Sequence, residues 1–374
     1  MCSHETVTER FADRLALELL VQTFPPQMVD AAVAASGRSE QRVRLLPART
    51  VVYFMLAMGL FPDLGYAEIA RRVGEVLVRW DISPARQVPT TAAISRARAR
   101  LGAEPLRRLF TALTTQIAAT ADGDSVLGLR VRGLMSVDFT VLDPRKARYR
   151  LMVLAETGDR GPLHAKLACA GDPGRCARDL FSQVGPGDLL VLHHDIVDSE
   201  VIRAASASDA WLLYGVRDSS PPGVTAPEAS GTVTPGTASG EDVQLRTTLP
   251  SASPAASVDL TQLYDRYVQF KHLFQERHNG PNGVPPVIRS RSPEAEEQEI
   301  WARLLVHCAT YYRRERHVGP PSRTRHVPTQ RDVPDRALAF VRPPRRDAPG
   351  VLGTAHERAV GRVGPAGGGG DPSS

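Results

Sequence analysis

The chain has few cysteines, very few lysines and no long apolar run. Its 374 residues include four cysteines, Cys2, Cys169, Cys176 and Cys308, with no C-x-x-C pair among them. That spacing excludes a disulfide framework and a clustered zinc site. The longest apolar stretch, residues 51–60, contains Gly59 and is too short to span a bilayer. The first residues carry neither a basic segment nor an apolar core of the signal-peptide kind, so the expected location is a reducing cytoplasm, with no membrane partner. Lys146, Lys166 and Lys271 are the only lysines among 46 basic residues. Arginine suits phosphate through its planar fork, although a GC-rich coding bias accounts for the choice at least as well. Against 41 acidic residues the net charge is +5, which permits a nucleic-acid partner without demanding one.

What is present is ordinary for a globular protein: 42% apolar and 23% charged residues, in a length that suggests about two or three folded units. Residues 1–120 read as a helical domain. Phe11, Leu15, Leu19 and Leu20 recur at helical spacing until Phe24-Pro25-Pro26, and a nearly all-apolar helix over 47–60 is expected at the centre. A short helix from Gly65 and another capped by Thr90 or Thr91 follow. The second bears Arg96, Arg98 and Arg100, and the pair is a candidate helix-turn-helix with a long connector; a solvated basic face is the plainer reading.

From residue 128 the period changes to that of strands. Five candidates lie at 134–142, 150–155, 163–170, 188–193 and 210–216, with helices at 175–183 and 200–207 between the later ones. The pattern predicts an α/β fold with a mixed sheet. Residues 218–258, rich in Ser, Pro, Gly, Thr and Ala, read as a flexible insertion in which only 243–249 resembles a strand. Helices are expected at 260–277 and after Ser292-Pro293, the latter with Trp301, Leu304, Leu305, Cys308, Tyr311 and Tyr312 on one apolar stripe. The Arg/Pro/Gly-rich tail, 317–374, is expected to be mostly disordered.

Asp138 stands out, because a carboxylate within an apolar strand is costly unless paired or metal-bound. On a strand it shares a face with Leu134 and Ser136. His193-His194-Asp195 closes the fourth strand candidate, at the kind of strand end where α/β sheets place their sites. Metal ligation by these three, in an unrelated α/β enzyme, is an alternative reading.

The order of these features resembles a DDE transposase of the insertion sequence 4 family. The carrying pieces are the helical start ending Ala93-Ile-Ser-Arg-Ala-Arg-Ala-Arg-Leu-Gly, the strand Met135-Ser-Val-Asp-Phe-Thr, Pro186-Gly-Asp-Leu-Leu-Val-Leu, the helix with Tyr264, Ile288-Arg-Ser-Arg-Ser-Pro and Glu296-Glu-Gln-Glu-Ile-Trp. The resemblance spans about residues 8–346 and implies a ribonuclease-H-like catalytic domain over 128–316. It further implies double-stranded DNA at element ends as partner, an oligomer as a possible working state, and a nucleoid-associated protein. Two Asp and one Glu would hold Mg²⁺ or Mn²⁺ for phosphodiester cleavage and strand transfer.

By that resemblance Asp138 is the first catalytic and metal-binding aspartate, although the family usually has Gly where Phe139 stands. The connection from Asp138 to the next strand reads as a deletion. The ungapped match to the second aspartate is His193, with Asp195 the nearest carboxylate. The third signature has Tyr264 in place, a DNA contact by this likeness, but Tyr267, Lys271 and His278 where the family has Arg, Glu and Lys. Lys271 at the glutamate position is the severe departure, since an ammonium repels the cation. Glu276 lies about 140° further around the helix. The expectation is a transposase body with impaired catalysis, a decayed copy; a non-catalytic DNA-binding derivative is the alternative.

Overall fold

A computed structural model describes residues 7–40, 42, 46–82, 88–120, 125–141, 149–156, 161–169, 173–217, 231–233, 243–250, 254–278 and 287–317. Six helices come first: α1 (Val7–Thr23), α2 (Pro26–Ala35), α3 (Ala48–Leu60), α4 (Tyr66–Arg79), α5 (Thr91–Leu101) and α6 (Glu104–Thr120). Their ends follow local chemistry. Pro25 and Pro26 part α1 from α2, with Pro26 in the first turn where its missing N–H costs nothing. The Thr90 hydroxyl accepts from Ala93 N at 3.2 Å and caps α5. Residues Val51 to Met58 of α3 are all buried. A helix apolar on every side must be surrounded, and α3 is, by α2, α4, α5 and a distant helix near the far end of the chain.

The strands are β1 (Ser125–Val126), β2 (Leu129–Val141), β3 (Tyr149–Glu156), β4 (Gly161–Cys169), β5 (Asp188–Leu192), β6 (Trp211–Val216), β7 (Gly231–Val233), β8 (Gln244–Thr247) and β9 (Val287–Ile288). Between and after them run α7 (Pro173–Phe181), α8 (Ser199–Ser206), α9 (Pro254–His278) and α10 (Pro293–His317). The main sheet has the order β4-β3-β2-β5-β6-β8-β7. β2, β3 and β4 are antiparallel neighbours, β2, β5 and β6 are parallel, and β8 returns antiparallel to β6. The fold is therefore α/β with a helical start and a mixed sheet, as the periodicity predicts.

Alternation along β2 sets the two sides of the sheet. Leu134 packs with Met152, Leu154, Leu190 and Leu192 under α7 and α8. Met135, Val137 and Phe139 point the other way, into a core continuous with α3, α6, α9 and α10. At the lower end of β2 an ion network closes the layer: Arg132 lies 3.5 Å from both Glu156 and Asp188, and Arg130 lies 2.9 Å from Asp188.

The expected flexible insertion is too broad. β8 lies inside residues 218–258 and hydrogen-bonds along β6, because Leu245 and Thr247 are buried against the sheet, and α9 begins at Pro254. Residues 218–230 and 234–242, and the tail beyond 317, lie outside the described residues. α10 starts where the sequence places it. Ser292 Oγ accepts from Ala295 N at 3.4 Å, and Glu294 and Glu296 occupy the positive end of the helix dipole. Trp301, Leu304, Leu305 and Cys308 form the buried stripe. Among the described residues no helix is long and apolar enough to cross a membrane.

The crossing of α3 and α10 depends on Gly59. A Cβ there would stand 2.8 Å from Ala302 O and 2.9 Å from its carbonyl carbon. Both are backbone atoms of a packed helix and cannot turn aside. Gly59→Ala is expected to lower stability by about 1–3 kcal/mol, the range for overpacking, despite the better helix propensity of alanine. A urea midpoint equal to or above that of the parent would contradict this close approach.

Candidate active site

β2 pairs with β5 only as far as Leu134 and Leu192, after which the two strands part. β2 has an antiparallel neighbour on one side and a parallel one on the other, and ligand crevices form at such switches at the carboxyl ends of parallel strands. α9 closes this crevice from the side of the larger core. The Tyr267 hydroxyl accepts from His193 N at 3.2 Å and donates to Leu134 O, tying both strand ends where their ladder stops. Gln275 Nε2 donates to Ser136 O at 3.1 Å, one residue pair further along β2. Tyr267 is fully buried, and burial, reinforced by Tyr264 and Asp195, pushes its hydroxyl well above the usual tyrosine range, so it remains protonated.

Asp138 stands opposite Arg150 in the β2–β3 register. Its Oδ1 lies 2.7 Å from Arg150 Nε and its Oδ2 3.1 Å from Nη2, a two-pronged pair. Asp195 follows β5. Its Oδ2 accepts from Lys271 Nζ at 2.6 Å, and its Oδ1 lies 2.8 Å from His193 Nδ1. Lys271 is only 2% exposed, whereas the Asp195 side chain keeps 41% of its surface. Partial burial would raise the Asp195 pKa, but the His193 hydrogen bond and the Lys271 ammonium outweigh it and hold the carboxyl well below the usual carboxylate range.

Arg150, bonded to Asp138, also lies in the field of Asp195, which places the two aspartates at the same end of the sheet, and the Lys271 amine is seated on Asp195. Glu276 is exposed on the outer side of α9, as its helical phase requires. Arg150 is the site residue that sequence reasoning missed; its signal is the short connection that makes β2 and β3 a hairpin and sets it opposite Asp138. The residues present do not fit the divalent metals that the DDE likeness implies. Each aspartate already holds a cationic side chain, and among the described residues no three His, Cys, Asp or Glu side chains are grouped to hold a metal ion. The same holds for His193, His194 and Asp195 as ligands of a metal enzyme. The two imidazoles lie against each other at 4.0 Å between centroids, and His193 is buried.

The residues expected to contact DNA divide. Arg96 and Arg100 are exposed on α5, but Arg98 is buried. It donates to Gln298 Oε1 at 3.2 Å, to Ser290 Oγ at 2.9 Å, to Ala295 O at 3.0 Å and to the Tyr66 hydroxyl. The reason is helical phase. At 100° per residue Arg98 projects about 200° from Arg96, into the side formed by Ile94, Ala97 and Leu101, while Arg100 returns to within about 40° of Arg96. Tyr264 is also buried, its ring stacked toward His193 and its hydroxyl filling the space beside Gly215. Neither is presented to DNA as the sequence reading expected.

Residues 14–111, from within α1 to the middle of α6, match the family model described as insertion element 4 transposase N-terminal. Over these residues the chain is similar to the N-terminal region of insertion element 4 transposases, and the match does not extend to the sheet or to α9 and α10. No curated protein matches it. The matched residues include Arg98, whose side chain is bonded to α10, far outside the match.

Proposed function

We propose that this chain is a transposase-derived DNA-binding protein in which metal-dependent strand cleavage is lost or badly weakened. The N-terminal family match supports the transposase origin, and with it DNA as the partner. The mixed sheet with Asp138 at a strand switch supports a ribonuclease-H-like body. The observation that carries the loss of cleavage is the Lys271 ammonium seated on Asp195 at 2.6 Å, with the Arg150 guanidinium on Asp138. A two-metal mechanism needs carboxylate oxygens turned toward the ions. Here both aspartates are neutralised by side chains covalently part of the fold, at separations where a divalent ion would meet a positive charge.

The test is nicking of a supercoiled plasmid carrying the DNA that flanks the gene, with Mg²⁺ or Mn²⁺ present. No metal-dependent nicking above background is expected from the parent protein. Lys271→Glu alone is expected to leave nicking at background, because His193 still occupies the second aspartate position and Arg150 still covers Asp138. Robust nicking by the parent, abolished in Asp138→Ala, would overturn the proposal.

A further inference from the structure

A second polar cleft lies far along the chain from Asp138, in the matched N-terminal region. It is a cleft of about 420 Å³ between the turn after α2 and the C-terminal end of α5, with Arg38, Arg42 and Arg100 on its walls and the first turn of α3 at its floor. Arg38 and Arg42 are exposed. Arg38 Nη1 donates to Arg100 O at 3.2 Å, which holds its guanidinium at the rim.

Glu40 shows what the cleft stabilises. Its Oε2 accepts from Ala48 N at 3.3 Å, at the N-terminus of α3, and its Oε1 lies 3.7 Å from Arg100 Nη2. Pro47, the residue preceding that helix, supplies no side-chain cap. A carboxylate is therefore held by a helix N-terminus and a guanidinium together, the combination that receives phosphate oxygens. Arg38 and Arg42 stand at the mouth, and Arg96 extends the same face of α5 to solvent. Glu294 adds a second acid beside Arg38: its Oε1 and an Arg38 guanidinium nitrogen would lie 2.9 and 3.3 Å from a Cβ on Gly102. The positive charges outnumber the negative ones, and all are arginines, whose forks match phosphodiester oxygens.

We propose that this cleft is a backbone-phosphate site for duplex DNA, contacted by Arg38, Arg42 and Arg100, with Glu40 as an internal anion that the incoming phosphate opposes. The proposal rests on the DNA-binding reading and gives it a place. Contacts of this kind position the protein without reading sequence. They add to affinity by releasing counterions, so each one steepens the salt dependence.

The experiment is fluorescence anisotropy with the full-length protein and a labelled duplex of arbitrary sequence, between about 50 and 200 mM salt. Thermal melts would establish that each variant is folded. Arg38→Gln with Arg42→Gln is expected to weaken binding about tenfold or more at the lower salt and to reduce the slope of log K against log salt by about one to two. Glu40→Gln keeps an oxygen for Ala48 N and removes the charge, and is expected to bind severalfold more tightly. Parent protein that binds with salt dependence, alongside a double variant of unchanged affinity and slope, overturns the cleft and leaves the DNA-binding reading standing. Parent protein that does not bind the duplex at any salt in the range overturns both. Weaker binding by Glu40→Gln would overturn the role given to Glu40.

Discussion

Arg98→Ala is expected to lower the stability of the whole protein by about 3–5 kcal/mol, the range for removing one partner from a buried charged network. The Arg98 side chain makes four hydrogen bonds to Tyr66, Gln298, Ser290 and Ala295, and the Gln298 amide returns a bond to Arg98 O at 2.7 Å. Its guanidinium also faces the Tyr66 ring and lies in the field of Glu299. Burial lowers its pKa from the usual arginine value, opposed by Tyr66 and Glu299. Truncation would leave Gln298 and Ser290 short of partners and a vacancy that water cannot enter freely. Glu299, buried, accepting from Arg289 N, Ser290 N and Ser290 Oγ and paired with Arg303 at 3.3 Å, would lose one of the positive charges around it. Chemical denaturation followed by circular dichroism measures the loss. A change within about 0.5 kcal/mol, the range for exposed surface substitutions, would mean that the arginine is solvated rather than buried in this network.

Lys271→Glu should have the second largest effect and should reverse the sign of a pH dependence. In the parent, the folded pKa of Asp195 is held below its unfolded value. Its contribution is thus fully present above the ordinary carboxylate range and is lost as pH falls below about 4. A carboxylate at position 271 would be nearly sealed from water and beside Asp195, so its folded pKa would lie above its unfolded one. The variant would then gain stability as pH falls toward 4 and lose it toward neutrality. The expected deficit at pH 7 is about 3 kcal/mol, the low end for a broken buried pair, because Asp195 is 41% exposed and partly screened. Urea midpoints from about pH 3 to 8 would show this contribution rising to about pH 4 and then level in the parent, and falling with pH in the variant. Parallel curves would remove Lys271 from the crevice.

Much of this fold is legible in the amino-acid order, because the strong signals are periodic or local. The Pro25-Pro26 break, the Thr90 cap and the Ser292-Pro293 start each act within one turn of a helix, and the structure places the helix ends there. Alternation along β2 sends Leu134 and Met135 into different cores, and the register sets Asp138 opposite Arg150. What failed was reading arginines by their number rather than their phase. Arg96, Arg98 and Arg100 look like one basic run, yet the spacing of Ile94, Ala97 and Leu101 already assigns Arg98 to the buried side. The site was legible in part. Lys271 stands out against the family pattern, but its partner depends on how β5 ends and how α9 crosses it, which is tertiary information. The Arg150 pairing depends on the register of β2 against β3, which the alternation of either strand alone does not fix.

The encirclement of α3 has a consequence for how such a protein can be shortened. Its eight consecutive buried residues are sheltered in part by α10, whose first residue is 293, and Arg98 is bonded to the same helix. A chain stopped by a nonsense codon anywhere before that point would expose an oily rod rather than release a soluble DNA-binding fragment. Loss of cleavage by amino-acid replacement preserves the body; loss by truncation would destroy it. Lineages of this protein that retain any hold on DNA should therefore keep the far helix even after every acidic ligand is gone.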